Sequence, residues 1–249
     1  MSLKRVFGIL TAILITSSGI TAQNDKAGDR AWIFGASLSL NQADGNWSES
    51  FNTNISVGAH LALKRSSNLI LSAEWNYLTG GEINNRTQAL GSIIGDNGNL
   101  LNSSGSFAQY NINQRATYFS IGLEKTLPFW QLNRNSGPSL GLYGGYTWHW
   151  LNIDNVGNDA PQILEPYVYG YDRMSRGFHL SQSFGYMYLS ESRLINFRIS
   201  FDLNEIWSRD IRSYHYPSGT LSNDTQLNLL YSLKIKWYIP IYLGQKKEE

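Results

Sequence analysis

Residues 137–150, "GPSLGLYGGYTWHW", alternate with a period of two. Leu140, Leu142, Gly144, Tyr146, Trp148 and Trp150 share one face, while Ser139, Gly141, Tyr143, Gly145, Thr147 and His149 share the other. A period of two is the mark of a β-strand. In a half-buried soluble sheet the apolar side faces a core and the polar side faces water. Here the apolar side ends in indole rings and the opposite side is small and polar. Seven further segments repeat the pattern: residues 32–40, 54–63, 69–78, 117–125, 177–188, 194–203 and 227–239. After the first residues of the chain, no segment is apolar enough for a transmembrane helix.

Each segment approaches the length of a tilted strand that crosses a bilayer, about 9–11 residues. The connections alternate in size. Residues 64–68, 127–137 and 190–193 are short, whereas 41–53, 79–116, 151–176 and 204–225 are long, polar and rich in Asn, Gly and Ser. This predicts an all-β fold: a closed antiparallel eight-stranded transmembrane β-barrel with short periplasmic turns and long extracellular loops.

The apolar face must look outward. Facing inward, it would crowd Trp75, Tyr77, Tyr146, Trp148 and Trp150 into a narrow lumen and turn Glu74, Glu124, Arg198, Asp202, Lys234 and Lys236 to lipid. A basic residue at the bilayer midplane costs about 2–4 kcal/mol. Facing outward, the aromatics divide into two girdles at headgroup depth. Trp75, Tyr77, Trp148 and Trp150 are expected at the loop end, and Trp32, Tyr186, Tyr188 and Trp237 at the turn end.

Composition agrees. Charged residues are 16% of the 249 residues, with 23 Gly, 15 Tyr and 8 Trp, against about 25% charge in a typical soluble domain. The net charge of +1 gives no reason to expect a nucleic acid partner. The absence of cysteine excludes disulfides, thiolate metal sites and an N-terminal lipid anchor on Cys. Lys4 and Arg5 precede an apolar run from Val6 to Ile15 and small residues ending at Ala22, the pattern of a secretory signal peptide over 1–22. Residues 23–249 are then the barrel domain with a short periplasmic tail. The expected location is the cell outer membrane, with both termini in the periplasm and outer-membrane lipid and lipopolysaccharide around the wall.

The six inward charges, three acidic and three basic, form a balanced interior network, because buried charges require partners. Eight-stranded interiors are ordinarily filled by side chains, so a small-solute channel is the weaker alternative. His60, His149 and His179 also point inward. Without a nearby inward carboxylate, His149 and His179 make a poor metal site, and no cofactor is expected. His179 and Ser181, two apart on one strand, could in principle pair as base and nucleophile.

The "HLS" of His179 and Ser181 resembles the His-x-Ser of outer-membrane lipid A deacylases. In that family the pair faces lipid, Asn follows, and a glutamate on the next strand orients the histidine. Here the pair faces the lumen, Gln182 follows, and the next acidic residue, Glu191, falls in a short turn. No enzymatic activity is expected. As a whole, residues 31–243 resemble the small outer-membrane barrels related to OmpA and OmpX. The Asn- and Tyr-rich strands and the run past Trp237 to "YIPIYLGQKKEE" suggest the variants of Bacteroidota, some of which are similar to PorT-type secretion accessory barrels.

That resemblance transfers no site residues, so function is expected in the loops. Region 79–116 places Leu90, Ile93, Ile94, Leu100 and Leu101 in polar sequence, and 151–176 displays Tyr167, Tyr169 and Tyr171. Tyrosine suits interfaces because it combines area with a hydrogen bond at low entropic cost. The expected role is a non-enzymatic interaction or accessory subunit of a surface or secretion assembly, with a protein partner at the loops or in the membrane. A stand-alone structural barrel is the alternative. Shortening 79–116 is expected to leave the barrel folded.

Overall fold

The computed structural model describes residues 29–45, 47, 53–83, 86–95, 97–190, 194–212, 214–219 and 224–243. The expected signal peptide, Glu191 and the tail from Gly244 onward lie outside these residues. Eight strands run in chain order: β1 (Ala31–Gly45), β2 (Thr53–Lys64), β3 (Leu69–Glu82), β4 (Tyr110–Thr126), β5 (Gly137–Asn155), β6 (Ser175–Leu189), β7 (Asn196–Asp210) and β8 (Gln226–Tyr242). Each pairs antiparallel with its sequence neighbours, and β8 closes on β1. The all-β, closed, antiparallel eight-stranded barrel predicted from the alternation is the fold observed. Both ends of the barrel sequence lie at the short-turn end, which is the topology of outer-membrane barrels.

Closure is staggered. A row of cross-strand partners runs Tyr188, Phe197, Trp237, Ala36, Ala59, Trp75, Phe119, Tyr146 and Phe178, returning to β6 ten residues from where it began. Such a stagger accompanies strands tilted by about 35–45°, so the row climbs the wall as it circles. Many of its outward positions are aromatic, and it continues from Phe178 to Trp207. Trp75 therefore lies lower on the wall than Trp148 or Trp207, and the loop-end aromatics form a rising band rather than a level girdle.

Wall residues such as Leu38, Val57, Ile121, Phe201 and Leu233 are exposed, while Ser39, Ser56, Ser120, Asp202 and Ser232 on the opposite face are buried. So continuous an apolar exterior is a surface made for lipid.

Five strands run at least four residues further at their loop ends than the alternation of apolar residues predicts, β1 and β3 by 41–45 and 79–82. Residues 110–116, 151–155 and 204–210, expected in loops, are strand. There the pattern is inverted: Tyr110, Ile112, Ala116, Leu151 and Ile206 are buried, while Asn111, Asp154 and Arg209 are exposed. Beyond the membrane the barrel stands in water, so its polar residues turn outward and its apolar residues fill the mouth. Between β3 and β4 the chain forms a short helix, α1 (Arg86–Leu90), and two isolated bridges, Ile94 to Leu100 and Leu101 to Phe107.

Candidate functional site

The lumen is polar in its middle and apolar at both ends. Glu124 on β4 meets Arg198 on β7, with Nε 3.1 Å from Oε1, and Tyr143 donates to its other oxygen at 2.7 Å. Arg198 also donates to Ser139 at 2.8 Å. Glu74 on β3 takes Lys236 from β8 directly and Lys234 at 3.5 Å, while Lys234 pairs with Asp202 at 2.8 Å. The structure thus brings all six expected interior charges together as acid–base contacts across the barrel. Gly122 and Gly141 lie against the Tyr143 ring, where a Cβ would collide with it.

Above this layer, Leu78, Tyr110, Ile112, Leu151, Ile206 and Leu230 from the strands pack with Ala89, Leu90, Ile94, Leu100 and Ile163 from the loops. Below it, Ile33, Ala62, Ile70, Met187, Leu189 and Tyr238 form a second apolar plate. Lys64, absent from the sequence-based set, is buried beside that plate and donates to the Asp29 carbonyl at 3.0 Å and to Asn135 at 2.9 Å. Ions crossing the lumen would have to shed water at two apolar barriers. Pure folded protein in planar bilayers should therefore give no steady conductance, and reproducible single-channel steps would contradict a sealed lumen.

The three inward histidines are separated by their partners. His60 lies 3.8 Å from Glu74 and against the Tyr238 ring. His149 stacks on Trp47, with ring centroids 4.5 Å apart. His179 has both ring nitrogens 2.8 Å from hydroxyls, Nε2 with Ser120 and Nδ1 with Thr147. Those contacts leave neither nitrogen for Ser181, and the pair stands inside the lumen between the upper plug and the lower plate. No group of three or more metal-ligating side chains is found among the described residues.

The loop residues singled out in the sequence divide into two sets. Leu90, Ile94, Leu100 and Tyr171 are buried in the upper plug and Ile93 packs against it, whereas Leu101, Tyr167 and Tyr169 are exposed. Region 79–116 thus supplies part of the barrel's own core, which bears against the expectation that shortening it would leave the barrel folded. Two further exposed aromatics, Tyr214 and Tyr216, come from the β7–β8 loop. The Tyr-x-Tyr spacing in 204–225 was the available signal.

The crown is cross-linked. Arg212 holds Asp172 with two nitrogens and lies 4.6 Å over the Tyr169 ring. Arg173 donates to His215 at 3.0 Å and to the Gln88 carbonyl at 2.6 Å. Burial, reinforced by Arg173, pushes His215 down to about 4, so at neutral pH its imidazole is uncharged and able to accept that bond. The Asp172 hydrogen bond in turn raises the Arg212 guanidinium above its ordinary range. Tyr216 packs edge-on against Tyr171, centroids 5.1 Å apart.

A buried polar pair lies on the lipid-facing parity. Gln182 of β6 donates to Glu205 of β7 at 3.3 Å, both 5% exposed, between Leu180, Leu203 and Leu229 in the sheet registers. The Gln182 carbonyl oxygen is buried without a hydrogen-bond partner. Sequence reasoning aligned Gln182 with the outer face but missed Glu205, which fell in a stretch read as loop.

No family model matches the chain, and no curated protein matches it. Several solved structures are similar. Neisserial surface protein A shares 8% identity, with 84% of this chain and 96% of that one covered and a TM-score of 0.49. The attachment invasion locus protein Ail of Yersinia pestis shares 8%, covering 85% and 98%, with a TM-score of 0.39. The outer membrane protein OprG of Pseudomonas aeruginosa shares 8%, covering 86% and 99%, with a TM-score of 0.38.

Proposed function

We propose that this chain is a non-enzymatic outer-membrane barrel that serves as an interaction subunit of a surface assembly, engaging a protein partner through the exposed rim of its loop crown. Export under the segment 1–22 and accessory service in a PorT-like secretion apparatus of Bacteroidota are the finer forms of this proposal. The observation that carries it is the pairing of a lumen that holds buried apolar clusters at both ends with an exposed aromatic rim. Tyr167, Tyr169, Tyr214 and Tyr216 are 55, 40, 49 and 47% exposed, on loops fastened by Arg212–Asp172 and Arg173–His215. Rigid, exposed tyrosines bind with little ordering cost.

Replacing Tyr167, Tyr169 and Tyr214 with serine should leave heat-modifiable gel migration unchanged, because none belongs to the plug or packs on it as Tyr216 does. Crosslinked partners in native membranes should be lost at matched abundance. An unchanged set of partners would remove the rim from consideration. A second reading has its own support: a carboxyl group within a lipid-facing wall is a site by default. The Gln182–Glu205 pair would then mark a contact with a partner in the membrane, and Glu205→Leu would weaken that association while sparing any at the rim.

A further inference from the structure

The turn between β4 and β5 has two sides. Its second half tucks beneath the lumen, where Asn133 and Ser136 donate to the Leu189 carbonyl at 2.9 and 3.3 Å. Asn135, 5% exposed, accepts from Lys64. Its first half does the opposite: Phe129, Trp130 and Leu132 are 48, 84 and 74% exposed. Large side chains left in water forgo about 1.5–3 kcal/mol each relative to burial. Trp130 also has a φ of 48°, a left-handed conformation that bulky residues rarely adopt. The bend separates the outward aromatic pair from the inward polar arm.

The outward half does not hang free below the barrel. Tyr186, on the lipid-facing wall of β6, donates its hydroxyl to the Trp130 carbonyl at 3.0 Å. That bond holds the turn against the outside of the wall at the level of the turn-end girdle. The neighbouring β6–β7 turn adds Leu194 and Ile195, 85 and 62% exposed.

We propose that the β4–β5 turn is a membrane anchor whose Phe129, Trp130 and Leu132 enter the headgroup region of the inner leaflet. The occupant of this face is phospholipid. The patch is continuous with the lipid-facing wall through Tyr186, and the turn's Asn133, Asn135 and Ser136 are directed away from it, under the lumen. Indole and phenol rings favour that interfacial depth. The anchor extends the girdle beyond the strand ends on the β4–β6 side and sets how deep the barrel rests. It is independent of the role of the loop crown.

The chain contains no cysteine, so Leu132→Cys carrying a nitroxide reports on this turn alone. The full chain would be reconstituted without other proteins in phosphatidylethanolamine–phosphatidylglycerol vesicles, with a water-soluble nickel chelate on both sides. Oxygen should relax the label at 132 more effectively than the chelate does, as for a label at Trp237→Cys, while a label at Arg134→Cys should show the reverse. Adding Phe129→Ser and Trp130→Ser to Leu132→Cys should keep the heat-modifiable barrel but abolish this protection. A label at 132 as open to the chelate as one at 134 would overturn the proposal. So would shielding that appears only after periplasmic extract is added, which would assign the face to a protein, or protection that survives both serine substitutions.

Discussion

Arg198→Met should destabilise the folded barrel by about 3–5 kcal/mol, the usual cost of removing one partner from a buried ion pair. Arg198 is fully buried and its Nε approaches Glu124 at 3.1 Å. Methionine fills much of the volume but offers no charge, so among the described residues the Glu124 carboxylate keeps only the Tyr143 hydroxyl as a donor. A carboxylate so placed is buried without its countercharge, which favours the unfolded chain. The measurement is the urea midpoint for unfolding from lipid vesicles, followed by gel migration without boiling. The double variant Arg198→Met/Glu124→Gln should recover part of the loss, because it removes the orphaned charge as well. A midpoint for Arg198→Met equal to that of the parent chain would show that the interior pairs contribute nothing to holding the strands.

The wall was legible because lipid imposes one rule on every strand that crosses it. Residues 55–61 and 119–124 alternate without exception, and an apolar face bounded by Trp and Tyr cannot be turned inward in so narrow a ring. That rule lapses where water replaces lipid. In 110–116 the same period of two persists, but Asn111, Asn113 and Arg115 now point outward while Tyr110, Ile112, Gln114 and Ala116 point in. A search for apolar outward faces ends the strand too early at such a crossing. Glu205 and Trp207 were lost in the same way, since β7 continues to Asp210 through a stretch with little apolar alternation.

Inward-facing charges could be named from parity, but their pairing depends on stagger. Glu74 on β3 reaches Lys236 on β8 because closure is offset by ten residues, and nothing local to either strand states that offset. The anchor turn was hidden for a related reason. Residues 127–137 read as a short periplasmic connection, and only the bond from Tyr186 to the Trp130 carbonyl shows which half lies against the wall.

Leu100→Ala should cost about 2–5 kcal/mol, as for other large-to-small changes in well-packed cores, although Leu100 belongs to a loop and not to a strand. Its side chain is fully buried among Leu90, Ile94, Tyr110 and Ile112 in the upper plug. The loop backbone offers little room to collapse onto the cavity: Leu100 bridges to Ile94, its carbonyl accepts from Ala108 at 2.8 Å, and the adjacent Leu101 bridges to Phe107. Leu101, next in sequence and 53% exposed, supplies the contrast. Leu101→Ala should change the unfolding free energy by no more than about 0.5 kcal/mol, the usual range for surface positions. The two variants separate the uses that apolar residues in this loop can have. A residue of the plug shows its effect in the pure protein, whereas a rim residue shows its effect only when a partner is present. Equal, small shifts for both would mean that the loop lies over the mouth without packing into it. In that case the six interior charges, the lower plate and the strand hydrogen bonds would have to close the barrel unaided.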